Sequence, residues 1–354
     1  MALKLEPMTA RLTEVAEHYD IHDCWPQRSI DIIAAAGCWK WVIPKKCGGA
    51  GLRGVELLEA YEAVARGCMA TALILTQRDG ACDLIAQGEN EGLKQRLLRA
   101  YARAERFTSV GIAQLTTSYA GRKPAMQARR AGRGFVLDGV MPWVTAAEHC
   151  DEIVTGAVLP DGRQILACVS CEDPGVAVEP PMKLLAVGAS ATSRVRCRAV
   201  RIKPDDVIRG PADIAATMPA PVKPRVVSAV GLGLAGALHD RLTRTRLTPD
   251  LKQSLAPLRQ AYKHLRTQLL TTAPATRHQP ADADDLRIRV AVNELVTKMG
   301  LAYLTLSKGT GYCRPHPAER LLREALLFLV WSAGPETQLQ TMRALIGPGL
   351  ATLP

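Results

Sequence analysis

The strongest constraint on the fold is a change of sequence texture that occurs twice along the chain. Residues 1–106 carry apolar side chains at helical spacing, residues 107–209 carry short alternating runs punctuated by Gly and Pro, and residues 210–354 return to helical spacing. Apolar residues that recur every three or four positions favour helices, whereas alternation favours half-buried strands. We therefore predict an α+β fold with an N-terminal helical domain, a central antiparallel β domain and a C-terminal helical bundle.

Composition limits the class of protein and its expected surroundings. Of the 354 residues, 47% are hydrophobic and 22% are charged, which is typical of a globular chain with enough apolar material for a large core. The best apolar run, Ala325–Trp331, is far shorter than the roughly eighteen residues that a membrane span needs. The N-terminus lacks the apolar core of a signal peptide. We expect a cytoplasmic protein with no membrane span, in which the ten cysteines are reduced thiols.

The charge balance indicates an anionic partner. The formal net charge is +11, but the basic residues are spread along the chain and form no long run interleaved with aromatic residues. This distribution argues against a nucleic-acid partner. A phosphate-rich cofactor or a thioester carried on a phosphorylated coenzyme is the better expectation. The seven histidines form no convincing set of metal ligands, so no metal site is predicted.

Two segments of the predicted β domain carry the most specific chemistry. Leu115-Thr-Thr-Ser-Tyr-Ala-Gly121 ends a strand in hydroxyl groups and a turn, and Gly139-Val-Met-Pro-Trp-Val-Thr145 follows about twenty residues later. Thr116 and Thr145 offer hydrogen bonds to the heteroatoms of a flat ring, and Trp143 offers a face to cover it. The pair favours a site for a planar, polar-edged aromatic group.

The order of these segments resembles the acyl-CoA dehydrogenase family. Two further landmarks support the resemblance: the loop Ile43-Pro-Lys-Lys-Cys-Gly-Gly-Ala-Gly-Leu52 and the helical segment Pro317-Ala-Glu-Arg-Leu-Leu-Arg-Glu-Ala325. The four landmarks extend the resemblance from about residue 10 to residue 346. It implies the three-part fold described above, with FAD between the β domain and the C-terminal helices. The flavin-contacting positions it implies are Leu115, Thr116, Gly121, Trp143 and Thr145.

The resemblance also implies where a phosphate would lie. The family's Ser-Asp pair after the conserved glycine is replaced here by Arg122 and Lys123. These two cations are candidates for binding a phosphate of the cofactor or of coenzyme A directly. An exposed basic turn without a ligand is the alternative.

The expected catalytic base is missing from its usual place. Family members take the α-proton of an acyl thioester with a Glu while the β-hydride passes to the flavin, and on this alignment Ser332 occupies the position of that Glu. The alternative position, at the start of the helix near Lys223, is closed because no Glu lies between Glu179 and Glu294. Glu336 is the nearest acid to Ser332 and is the candidate base, with capping of the last helix as its alternative role.

The leading functional prediction is therefore an FAD-dependent oxidoreductase that desaturates an acyl thioester. The alternatives are a flavin-dependent monooxygenase on the same fold, which needs no α-proton base, and a non-catalytic family member that binds a partner. The resemblance further implies a homodimer or homotetramer and an electron-acceptor protein.

A rival motif is Gly231-Leu-Gly-Leu-Ala-Gly236, which matches the GxGxxG pattern of dinucleotide-binding proteins. That interpretation requires a strand before the motif and a second strand that ends in an acid about twenty residues later. The following residues are rich in Arg and Thr and do not read as such a strand. Close packing of a helix rich in Ala and Gly is favoured instead.

Overall fold

The computed structural model describes residues 4–115, 124–213, 223–273 and 283–347. Helices cover the first part of the chain as predicted. Asn90 illustrates how the sequence starts one of them, because its side-chain oxygen accepts a hydrogen bond from the backbone N–H of Leu93 at 3.0 Å. The N-terminal helices are α1 (Leu5–His22), α2 (Gln27–Ala35), α3 (Gly54–Gly67), α4 (Met69–Gln87) and α5 (Glu91–Ala102).

A sheet follows, and in the described ranges it contains eight strands. Its order is β6-β7-β3-β2-β4-β5-β8, with β1 beside β4. The strands are β1 (Thr108–Gly111), β2 (Met126–Ala131), β3 (Gly134–Val144), β4 (Glu152–Val158), β5 (Gln164–Ser170), β6 (Val176–Val178), β7 (Ser193–Ile202) and β8 (Val207–Ala212).

The sheet is mixed, which corrects the prediction of a purely antiparallel domain. Most neighbours are antiparallel, but β4 lies parallel to both β1 and β2. Parallel strands need a crossover rather than a hairpin. The hairpin of β2 and β3 is inserted between β1 and β4, and it supplies that long connection.

The C-terminal part returns to helices, and α6 carries the glycine motif. Val226–Val230 lies inside α6, so the strand that a dinucleotide-binding motif requires is not there. A Cβ at Gly233 would lie 2.3 Å from the carbonyl oxygen of Glu62, so the glycine permits close packing of α3 on α6. The C-terminal helices are α6 (Lys223–Arg244), α7 (Pro249–Thr271), α8 (Ala283–Gly311), α9 (Pro317–Leu326) and α10 (Pro335–Ile346).

The connection between α9 and α10 interrupts the helical spacing of the C-terminal part. The α-helix ends at Leu326 and tightens into a 3₁₀ turn at Leu327–Leu329. Ser332 then adopts a left-handed conformation with φ of 51°, and α10 begins at Pro335. Sequence periodicity cannot distinguish a continuous helix from one whose last turn tightens and breaks.

The domain boundaries at residues 106 and 209 remain a prediction, although the change from helices to strands and back is observed. No helix in the described ranges is both long and apolar enough to cross a bilayer.

Candidate functional site

One cavity of about 450 Å³ lies where the sheet meets the helices. The sheet side supplies Trp143 and Thr145, and the loop before β7 supplies Leu185 and Thr192. The connection between α9 and α10 closes the opposite side with Trp331 and Ser332. We call this space the Trp143 cavity. It brings together three of the predicted site residues, Trp143, Thr145 and Ser332, although nearly 190 residues separate the first from the last in sequence.

The mouth of the Trp143 cavity is apolar and uncovered. Trp143 is 49% exposed, Leu185 is 64% exposed and Val330 is 71% exposed, and all three line the cavity. Large apolar side chains on a protein surface are unremarkable singly, but grouped around one cavity they mark a place where a ligand or partner packs.

A short chain of hydroxyls runs from the cavity lining at Thr145 and Thr192 to Ser190 behind it. The hydroxyl oxygens of Thr145 and Thr192 are 3.2 Å apart, and those of Thr192 and Ser190 are 2.8 Å apart. The backbone N–H of Ala146 donates to the carbonyl oxygen of Ser190 at 2.9 Å, which fixes the loop against the end of β3. Three hydroxyls linked by two hydrogen bonds keep one proton to donate elsewhere. Thr192 and Ser190 were not predicted from the sequence, where they are only part of a run of small residues before a strand.

Arg323 forms one wall and links three parts of the chain. Its guanidinium donates to Asp20 of α1 at 2.6 Å, to Glu319 of α9 at 2.6 Å and to the carbonyl oxygen of Leu185 at 3.0 Å. Burial alone would lower the pKa of Arg323, but the hydrogen bonds to Asp20 and Glu319 outweigh it and raise the pKa above its ordinary value. Arg323 therefore stays charged and holds the loop that carries Leu185.

Side-chain carboxylates do not contribute to the lining of the Trp143 cavity within the described part of the chain. Ser332 lines it, and its left-handed backbone places it at a sharp bend. A serine hydroxyl by itself is a poor acceptor for an α-proton, because efficient general bases have a pKa near the working pH.

The other predicted site residues lie elsewhere or cannot be placed. The side chain of Leu115 packs against Gly156, and its backbone N–H donates to the carbonyl oxygen of Ile112 at 2.9 Å. Glu336 is exposed in the first turn of α10 and accepts a hydrogen bond from the amide of Gln340 at 2.8 Å. The remaining predicted residues lie outside the described ranges: Thr116, Gly121, Arg122 and Lys123.

Known proteins that resemble this chain include acyl-CoA dehydrogenases. A family model described as the acyl-CoA dehydrogenase N-terminal domain matches residues 6–105. The chain is 23% identical over 345 residues to a probable acyl-CoA dehydrogenase, YngJ, of Bacillus subtilis, covering 91% of this chain and 90% of that protein. It is 21% identical to the mitochondrial short-chain specific acyl-CoA dehydrogenase of Rattus norvegicus, covering 92% of this chain and 84% of that protein. The chain thus resembles acyl-CoA dehydrogenases along most of its length, as the sequence landmarks predicted.

Solved structures confirm the fold of this chain. A glutaryl-coenzyme A dehydrogenase in complex with glutaryl-CoA superimposes with a TM-score of 0.83 at 18% identity, over 100% of this chain and 96% of that chain. A nitrososynthase from Micromonospora carbonacea var. africana superimposes with a TM-score of 0.78 at 20% identity, over 98% and 95%. The predicted fold class is thereby confirmed, and at identities this low the solved structures establish the fold alone.

Proposed function

We propose that this chain is a flavin-dependent oxidoreductase of the acyl-CoA dehydrogenase family that uses FAD and acts on a small acyl thioester. The observation that carries the proposal is the convergence of Trp143, Thr145 and Ser332 on one cavity. Two of them were predicted as ring contacts and the third as the position of the usual base.

The lining of the Trp143 cavity fits a flavin ring. Its volume lies within the range of roughly 300–1,000 Å³ that is usual for ligand pockets. Trp143 leaves half of its surface for a ring to stack on, and the linked hydroxyls of Thr145 and Thr192 offer a hydrogen bond to a polar ring edge. We further propose that Leu115, Thr116 and Gly121 contact the ring, and that Arg122 and Lys123 bind a phosphate of the cofactor or substrate.

A bound flavin would supply the hydride acceptor that desaturation of a thioester needs. The chain must then bind the thioester, orient its α- and β-carbons and take the α-proton. Ser332 holds the place of the usual base, and we propose that Glu336, the nearest acid in sequence, takes the proton. In the structure the carboxylate of Glu336 accepts a hydrogen bond from the side-chain amide of Gln340. To act as the base, Glu336 requires the start of α10 to turn toward the Trp143 cavity.

Replacing Glu336 with Gln tests that role. If Glu336 is the base, substrate-driven flavin reduction slows by roughly a hundredfold or more, because that is the usual contribution of a general base. Flavin content stays unchanged, since Glu336 lies outside the cavity lining. The measurement is anaerobic stopped-flow absorbance with short-chain acyl-CoA thioesters, and reduction at the wild-type rate would exclude Glu336 as the base.

A second candidate function is a flavin-dependent monooxygenase. The specific observation in its favour is the lining itself, which contains no carboxylate within the described residues. Such an enzyme requires no α-proton base, so Ser332 and its apolar neighbours suit it as they stand.

We also propose that the protein assembles as a homodimer or homotetramer. As a dehydrogenase it would pass its electrons to an electron-acceptor protein.

One experiment separates these functions from a non-catalytic role. Purified protein is loaded with FAD, freed of oxygen and mixed with acyl-CoA thioesters. Loss of the visible flavin absorbance supports the dehydrogenase. Flavin that stays oxidised under these conditions, but that after chemical reduction and admission of oxygen transfers one oxygen atom to the substrate, supports the monooxygenase; consumption of oxygen to hydrogen peroxide alone does not. If the protein takes up no flavin, the result supports the third function, a binding role without turnover.

A further inference from the structure

Arg289 of α8 is a buried cation that the proposed function leaves unused. It is 3% exposed, and no salt bridge to it occurs among the described residues. Burial lowers the pKa of Arg289 to about 9. A buried charge without an opposite charge is costly, and an apolar side chain would occupy the same place without that cost. A buried arginine at this position therefore needs specific contacts that offset the cost of burying its charge.

The contacts of Arg289 are with the connection between α9 and α10. Its Nη2 donates to the carbonyl oxygen of Phe328 at 3.0 Å and to that of Trp331 at 2.9 Å. The guanidinium carbon also lies 5.6 Å from the centroid of the Phe328 ring, over its face. Carbonyl groups at the end of a helix lack partners within the helix, and one nitrogen of Arg289 satisfies two of them.

These two carbonyls bracket the part of the connection that faces the Trp143 cavity. Between them the backbone N–H groups of Val330 and Trp331 donate to Leu327, and Ser332 follows with its left-handed conformation. A bend of this kind persists only where surrounding contacts determine it. The side chains that it presents to the cavity are Val330, Trp331 and Ser332.

We propose that Arg289 is a positioning residue for the Trp143 cavity, which holds Trp331 and Ser332 in place through the carbonyl groups of Phe328 and Trp331. The inference rests on the proposed function only in naming flavin as the ligand of that cavity. The geometry favours arginine because its planar guanidinium lies over the Phe328 ring while Nη2 reaches both carbonyls, whereas a lysine ammonium has no planar face to stack on that ring.

The test compares Arg289→Lys and Arg289→Met with the control Arg287→Met. Arg287 lies two residues away on the same helix and is exposed, with an ion pair to Asp284. The first readout is hydrogen exchange of the Val330 and Trp331 amides, which needs no ligand. Both Arg289 variants should exchange there roughly tenfold faster or more than wild type, since a hydrogen bond from a charged group is lost. Exchange in α6 and in the control should stay as in wild type.

The second readout is the affinity for FAD, measured by the change in flavin absorbance on binding. Arg289→Lys should bind FAD roughly tenfold more weakly if the bend loses one charge-assisted hydrogen bond. If Arg289→Met fails to fold, Arg289→Lys carries both readouts. Unchanged exchange and unchanged affinity in Arg289→Lys would overturn the proposal. Should wild type bind no FAD, the proposed function fails while the exchange measurement still decides the role of Arg289.

Discussion

Two cavities of this protein differ in how their polar groups are satisfied. The Trp143 cavity is lined mainly by apolar groups, three of them exposed at its mouth, with a short chain of hydroxyls inside. A second space of about 610 Å³ lies between α1, α3, α6 and α9. It is lined by several charged residues, among them Arg66, Arg320 and Glu324, and we call it the Arg320 cleft.

The charges of the Arg320 cleft largely neutralise one another. Arg66 pairs with Asp240 at 2.7 Å, and Arg266 pairs with Glu62 at 2.7 Å, so these groups join α3 to α6 and α7. In the described lining of the Trp143 cavity Arg323 is the one charged residue, and its acidic partners Asp20 and Glu319 lie outside that lining. The exposed aromatic and aliphatic groups of this cavity are left in contact with solvent. The Arg320 cleft is the larger and more highly charged of the two cavities, yet its charged groups already have partners. We therefore propose the Trp143 cavity as the ligand site, because it combines uncovered apolar surface with hydroxyl groups that can donate a hydrogen bond.

The largest effect that sharpens this comparison is expected at Glu324, in the Arg320 cleft. Burial raises the pKa of Glu324 to about 7, and the nearby Arg320 offsets this only in part. Below the ordinary value of 4.5 the carboxyl is protonated in both the folded and the unfolded chain. As the pH rises from 4.5 to 7, the unfolded chain loses the proton first, so the free energy of unfolding falls.

Glu324→Gln removes that dependence. The variant should exceed wild type in stability by roughly 3 kcal/mol at pH 8, at about 1.4 kcal/mol for each pKa unit, and by little near pH 4.5. Urea unfolding at the two pH values measures it, with Glu17→Gln on the exposed face of α1 as the control. A variant no more stable than wild type at pH 8 would show that the folded protein stabilises the charged form of Glu324. The Arg320 cleft would then be a candidate ligand site, contrary to the comparison above.

The next effect is expected at Trp143. Trp143→Ala should weaken FAD binding by roughly tenfold, because an aromatic pair contributes about 1 kcal/mol beyond the area that it buries. The midpoint of thermal unfolding should hardly change, since half of the side chain is exposed. Trp143→Phe is the matched control and should retain most of the affinity. Equal affinity in all three proteins would mean that the flavin ring does not lie on Trp143.

The smallest effect is expected for the ion pair of Arg66 and Asp240. Both side chains are more than one third exposed, so a double-mutant cycle with alanine should give a coupling of roughly 0.2–1 kcal/mol. The coupling should decrease further as salt is added. A coupling of several kcal/mol, insensitive to salt, would contradict the view that Arg66 and Asp240 form an ordinary surface ion pair.

The sequence was sufficient for the fold and for part of the site. The change from helical to alternating periodicity located the sheet, and the glycines of Gly231–Gly236 were correctly interpreted as helix-packing positions. Trp143 and Thr145 were predicted as ring contacts because they share one motif at the end of a strand, and Ser332 was predicted from the alignment. The three residues line the same cavity, and their roles stay a prediction.

The rest of the site could not be read from the sequence because it depends on contacts between distant segments. The hydroxyl of Thr192 becomes part of the site only when the loop before β7 returns to β3. The role proposed for Arg289 depends on two carbonyl groups of the connection between α9 and α10, whose bend the helical spacing of the sequence does not reveal. The parallel pairing of β1 with β4 likewise follows from a crossover, and alternation along a strand carries no information on its direction.

The most direct test of the account is the visible absorbance spectrum of the purified protein before and after addition of FAD. The account predicts a flavin spectrum at close to one FAD per chain, either as purified or after reconstitution, that is weakened by Trp143→Ala. A colourless protein that fails to take up FAD would contradict the central claim that the Trp143 cavity is a flavin site.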